Sequence, residues 1–216
     1  EAHYRQIARN FAAVFPSEHL KYNELDDSIS QLSWTNYIAT LDPDHTYFLQ
    51  ADIDHFATYK NELDNMLENG YLDFAYEVFN VFKQRLQNRY EYIQKLLEGS
   101  FDLSIKETYI IKREDQPYAP NEEAWDELWR KKIKNEYVRK IVAKELKENS
   151  DEHKTPEEQP SDSKTREILD PKEYILNRYK NMMTILEDSD SEWVLQRYLS
   201  SIANAYDPHS AYLSPS

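Results

Sequence analysis

The chain has no cysteine and only two glycines, Gly70 and Gly99, among its 216 residues. Without thiols there is no disulfide, no thiolate metal site and no cysteine nucleophile. Glycine this scarce argues against sandwiches and barrels, whose many tight turns call for backbone that only glycine or asparagine adopts readily. No run of 18 or more apolar residues occurs, so no stretch reads as a membrane-spanning helix. Basic side chains are also in short supply. Twenty-six Lys and Arg face 40 Asp and Glu, a formal net charge of −14. That balance disfavours nucleic acid as a partner, because phosphate contacts need clustered cations. It disfavours an anionic membrane surface for the same reason.

What is present reads as helix. The composition is 40% hydrophobic and 31% charged, and a chain of this length buries roughly 70% of its unfolded surface. Ile7, Ala8, Phe11, Val14 and Phe15 make one face of a helix over Tyr4–Phe15 that Pro16 is expected to end. Asp26, Asp27 and Ser28 are cap candidates for a second helix carrying Ile29, Leu32, Trp34, Tyr37, Ile38 and Leu41, stopped at Asp42-Pro43. Asp52 and Asp54 open a third, expected to run unbroken to Glu68 before a left-handed cap at Asn69-Gly70. A long fourth spans Leu72 to Glu98. Residues 101–118 carry Leu103, Ile105, Tyr109 and Ile111 at odd spacings, which suits a short β-ribbon or an extended crossing. Asn121 caps a fifth helix over Glu122–Glu148, and two more follow over Pro171–Glu187 and Ser191–Tyr206. The fold class is all-α, with about seven helices.

Asn149–Arg166 stands apart. It holds two prolines and no large apolar residue, too little to offset its ordering entropy. It reads as a flexible polar insertion between a helical region, 1–148, and two further helices in 167–216 that pack back on that region.

Catalytic patterns fail on spacing. Phosphate loops, dinucleotide fingerprints, a Gly-x-Ser-x-Gly elbow and His-Glu-x-x-His are all missing. Asp42, Asp44, His45, Asp52, Asp54 and His55 form an acidic cluster, but an EF-hand register from Asp42 puts Tyr47 where glycine is needed and Ile53 where a bidentate Glu is needed. A turn followed by acidic helix-start residues accounts for it better than a metal site does. Asp207, His209 and Ser210 are too close in sequence to face one another as a triad. Lys131, Lys132, Lys134, Arg139 and Lys140 read as a solvated face with Glu partners rather than an anion site. The 17 tyrosines and four tryptophans read as core and rim. No catalytic, cofactor or metal residue is assigned.

The specific feature is a pair of loops. Leu41-Asp42-Pro43-x-x-x-Tyr47-Phe48-Leu49-Gln50-x-Asp52-Ile53 returns 165 positions later as Tyr206-Asp207-Pro208-His209-Ser210-Ala211-Tyr212-Leu213. In each, proline stops a helix, the Asp is placed to accept backbone N–H groups two or three residues on, and Tyr47 or Tyr212 is expected to turn back into the core, mostly buried. The first loop resembles the motif near the start of tail-specific proteases, the C-terminal processing peptidases of the bacterial periplasm. The second resembles the segment that precedes the PDZ domain in that family. Trp125-x-x-x-Trp129-Arg130-Lys131-Lys132-Ile133-Lys134 is similar to the family's long N-terminal region.

The resemblance implies a helical N-terminal domain of a periplasmic serine endopeptidase that recognises proteins by their C-termini. The family's serine nucleophile and lysine base lie beyond a PDZ module, and no residue here matches them, so this part is expected to be inactive alone and to need no cofactor. Its implied role is a scaffold, or a platform for an adaptor protein, beside its own PDZ and protease domains. No leader pattern is visible at Glu1-Ala2-His3-Tyr4, so the periplasmic location rests on the resemblance. The alternative is a stand-alone helical interaction module that uses the Asp-Pro turns structurally.

Overall fold

The computed structural model describes residues 2–18, 24–151 and 170–213. Among these are eight α-helices: α1 (Ala2–Glu18), α2 (Asp27–Leu41), α3 (Gln50–Phe56), α4 (Leu63–Glu68), α5 (Asp73–Glu98), α6 (Glu122–Asp151), α7 (Pro171–Glu187) and α8 (Ser191–Tyr206). A 3-10 turn, Ala57–Tyr59, follows α3. No β-strand occurs among the described residues; one isolated parallel bridge joins Leu49 to Ala119. The all-α expectation holds. The ribbon does not, since residues 101–118 run as irregular backbone. Lys134 tethers that run to α6, donating from Nζ to the Ile105 carbonyl at 3.2 Å and to Glu107 at 2.7 Å. Side-chain anchors therefore take the place of a ladder.

Helix starts follow local chemistry. Asp26 accepts from the backbone N–H of Ser28 and Ile29, Asn121 from Ala124, and Asp170 from Lys172, with Pro171 in the first turn. Gly70 takes φ +72° after α4, and the Tyr71 and Gly70 N–H groups bond back to the Met66 and Leu67 carbonyls. This is the paired bonding of a Schellman cap. Three expectations need correction. Pro16 does not end α1, which continues to Glu18; in the last turn a missing N–H costs a single bond. The third helix is not continuous. The Trp34 indole donates to the Phe56 carbonyl at 2.8 Å where α3 ends, and Ser30 Oγ accepts from Leu63 N–H at 2.8 Å where α4 begins. Side chains of α2 satisfy both broken ends, so the chain can bend there. On α6, Val142 and Leu146 are exposed rather than inward, because among the described residues no element covers that stretch. Of the Asn149–Arg166 segment only the first three residues, at the end of α6, are described.

Two apolar cores result. The larger gathers Phe11 of α1, Tyr37 and Ile38 of α2, Phe74, Phe82 and Leu86 of α5, and Tyr198 and Ile202 of α8. The smaller gathers Ile93 and Leu97 of α5, Trp125, Trp129 and Ile133 of α6, and Ile175 and Tyr179 of α7. The connector between α2 and α3 joins them: Phe48 is buried in the first, Leu49 in the second, and Tyr47 packs against both. The backbone bends at Tyr47 and Phe48 before Leu49, so three consecutive residues can serve two cores.

Candidate functional site

The α2–α3 connector is built around one carboxyl group. Asp42 is fully buried, and its Oδ1 accepts from Thr46 N–H at 2.8 Å while Oδ2 accepts from Tyr47 and Phe48 N–H at 2.9 and 3.0 Å. The donors lie four to six residues on, not two or three, because Pro43 and a left-handed His45 (φ 51°) first swing the chain outward. His45 is held there by its Nδ1, which donates to the Gln116 carbonyl at 2.6 Å, and by stacking on Tyr118 with centroids 4.1 Å apart. Burial raises the Asp42 pKa, opposing the three N–H donors that favour the charged form.

Two tryptophans seal the loop from α6. Trp125 and Trp129 lie one helical turn apart, so their indoles share a face. Both donate to the Thr46 carbonyl, each at 2.7 Å. Tyr47 sits edge-on to Phe82 at 5.3 Å and tilted against Trp129 at 5.1 Å, and its hydroxyl reaches Met182 Sδ at 3.5 Å. It remains partly accessible rather than fully buried. Arg89, itself almost fully buried, lies flat over Trp125 at 3.4 Å and pairs with Asp126 at 2.6 Å. Aromatic periodicity identified the tryptophans as core; that they hold a loop carbonyl 79 and 83 residues away has no local signal.

The second loop is a looser copy. Asp207 accepts through its side chain from His209 N–H, at 3.3 Å, while its carbonyl accepts from Ser210 N–H at 2.9 Å. Here the two-residue reach expected of Asp207 is what occurs. Tyr212 is half-buried, edge-on to Phe11 at 5.9 Å, and its backbone N–H and carbonyl both bond Ser200 Oγ at 3.1 Å. The helices that end at the two loops pack on each other: Asn36 of α2 donates to the Ser201 carbonyl of α8 at 3.1 Å, and these residues are themselves 165 positions apart.

The acidic cluster does not converge. Asp52 accepts two bonds from Arg85, at 2.9 and 2.8 Å, and one from Leu49 N–H at the start of α3. Asp54 takes the Gln50 amide, and His55 pairs with Glu77 at 2.6 Å. Among the described residues no three His, Asp or Glu side chains are grouped as a metal would require. The basic patch is largely internal: Lys131 meets Glu127, Lys132 meets Glu136, Lys134 meets Glu107, and Lys140 lies over the Tyr174 ring at 3.4 Å. His209 meets Asp207 through its backbone N–H.

Beside the first loop lies an open cleft of about 600 Å³ between α7 and α8, floored by the end of α2 and by Phe82 of α5. Leu41, the last residue before Asp42-Pro43, forms part of it, and Met182 links it to Tyr47. The connector thus shapes one wall.

The family described as tail specific protease N-terminal domain matches residues 11–216. The chain belongs to that family. It is 31% identical over 198 residues to the tail-specific protease of Haemophilus influenzae, an alignment covering 91% of this chain and 26% of the relative. The tail-specific protease N-terminal domain therefore contains both Asp-Pro loops, both cores and the cleft, and it spans about a quarter of the relative it matches. The stand-alone module is the less favoured reading.

Proposed function

We propose that this chain is the noncatalytic N-terminal part of a periplasmic C-terminal processing serine endopeptidase. It serves as a scaffold for the downstream PDZ and protease domains, or as a docking platform for an adaptor. The supporting observation is proportion: the N-terminal family covers nearly all of the chain, which aligns to 26% of a tail-specific protease. Most of such an enzyme lies outside this region, and the acidic, histidine and serine groups described above are engaged in caps, loops and ion pairs.

The test compares the parent enzyme with a version lacking residues 1–216, and with this chain alone, on a substrate with an apolar C-terminus. The chain alone should give no turnover, and the shortened enzyme should process poorly until the chain is supplied in trans. Turnover by the purified chain would overturn the noncatalytic reading. Full activity without residues 1–216, with or without any adaptor, would overturn both the scaffold and the platform. A parent gene lacking PDZ and Ser-Lys protease segments would remove the protease assignment.

A further inference from the structure

The cleft between α7 and α8 is chemically unlike the rest of the molecule. The chain carries 40 Asp and Glu, yet no acidic side chain lines the cleft among the described residues, while Arg178 and Arg197 both do. Its floor is apolar, from Leu41, Phe82, Met182 and Leu186. Ile185 stands at the rim, 64% exposed. An accessible apolar concavity with a few directed polar groups is the usual form of a binding site.

Arg197 gives it direction. Its guanidinium lies 3.9 Å over the Trp193 ring, and its Nε is buried without a hydrogen-bond partner. No carboxylate pairs with it among the described residues. Arg178 pairs with Glu136 at 3.3 Å, and its side chain is 58% exposed, which leaves donors toward solvent. A guanidinium set against an aromatic face is pre-organised to receive a carboxylate on its open edge. A purely apolar occupant would cover the guanidinium N–H groups of Arg197 that are still accessible without giving them an acceptor, which is costly.

We propose that this cleft docks an acidic peptide segment of a partner protein, with a large apolar side chain on the Leu41–Phe82–Met182 floor and a neighbouring Asp or Glu carboxylate on Arg197. The site gives the docking role above a place and a ligand chemistry, and it rests on that role. The two fail separately, because peptide binding is measured on this chain without any protease.

The probe is a blocked peptide, acetyl-Asp-Leu-Phe-Glu-Leu-amide, titrated into the isotope-labelled chain and followed by the Trp193 indole and α7 amide resonances. Saturable shifts confined to the cleft are expected. Binding should weaken about fivefold in Arg197→Gln, the scale of an accessible ion pair, and similarly in about 0.5 M salt. Ile185→Glu, a change at a side chain already in water, should weaken it with helicity unchanged. Equal binding of the blocked Asn/Gln counterpart would show an apolar groove with no role for Arg197. Preference for a neutral peptide with a free C-terminus would assign the carboxylate to a chain end instead. Either result overturns the proposal, as would absent shifts or unchanged binding in a folded Arg197→Gln.

Discussion

Trp125 and Trp129 converge on one acceptor. Both indole N–H groups reach the carbonyl of Thr46 at 2.7 Å, filling its two lone pairs from a single helix face. The loop after α2 is thereby clamped on one side by its own Asp42 and on the other by α6.

That convergence predicts non-additivity. Trp125→Phe or Trp129→Phe alone leaves the Thr46 carbonyl with one donor and should cost about 1–2 kcal/mol. The double variant leaves a buried carbonyl unpaired and should cost about 1 kcal/mol more than the sum. Urea melts of the four proteins form the cycle. Strict additivity would mean that another donor or water replaces the indoles.

The two Asp-Pro loops should respond unequally. Asp42→Asn replaces an acceptor of three N–H groups by a side chain whose amide faces some of those donors, a loss of about 3 kcal/mol. Asp207→Asn, at a partly exposed turn whose side chain accepts a long bond from His209 N–H, should cost less than about 1 kcal/mol. Thermal denaturation of both variants separates an asymmetric pair from equivalent repeats.

Gly70 tests the packing of α1 on α4. At φ +72° a Cβ is strained, and one built there would stand 2.6 Å from the Arg5 carbonyl oxygen. Gly70→Ala should destabilise by about 1–3 kcal/mol, beyond the strain of a solvent-exposed left-handed cap. Gly99→Ala, whose nearest contact is 3.6 Å away at ordinary φ, should be close to neutral.

The 101–120 run should loosen in acid. Arg130 and Lys134 hold the Glu107 carboxyl down to about 2 from an ordinary 4.5. A depressed carboxyl pKa contributes stability that is complete above the unfolded value and lost as pH falls through the folded one. The difference in Tm between the wild-type chain and Glu107→Gln should therefore be full above about pH 4.5 and shrink steadily toward pH 2. A difference independent of pH in that window would show that the carboxylate's charge is not what ties this run to α6.

The helical class, most helix starts and the family were legible in the residues alone. These depend on local rules: Asp26, Asn121 and Asp170 cap their own helices, Gly70 supplies a left-handed turn, and proline halts α2 and α8 within a few residues. The sequence also marked Asp42 and Tyr47 as the centre of a structured loop. Tertiary structure decided what that loop does. The tryptophan clamp and the bend between α3 and α4 capped by Trp34 and Ser30 depend on partners distant in sequence, and even the local donors to Asp42 lie farther along the chain than a simple Asp turn would place them. The near-repeat of Asp-Pro-x-x-x-Tyr concealed two different environments, because a motif records which groups are offered and only packing decides which are buried. The cleft has the same origin: residues from α2, α5, α7 and α8 meet there, and no single stretch of sequence contains it.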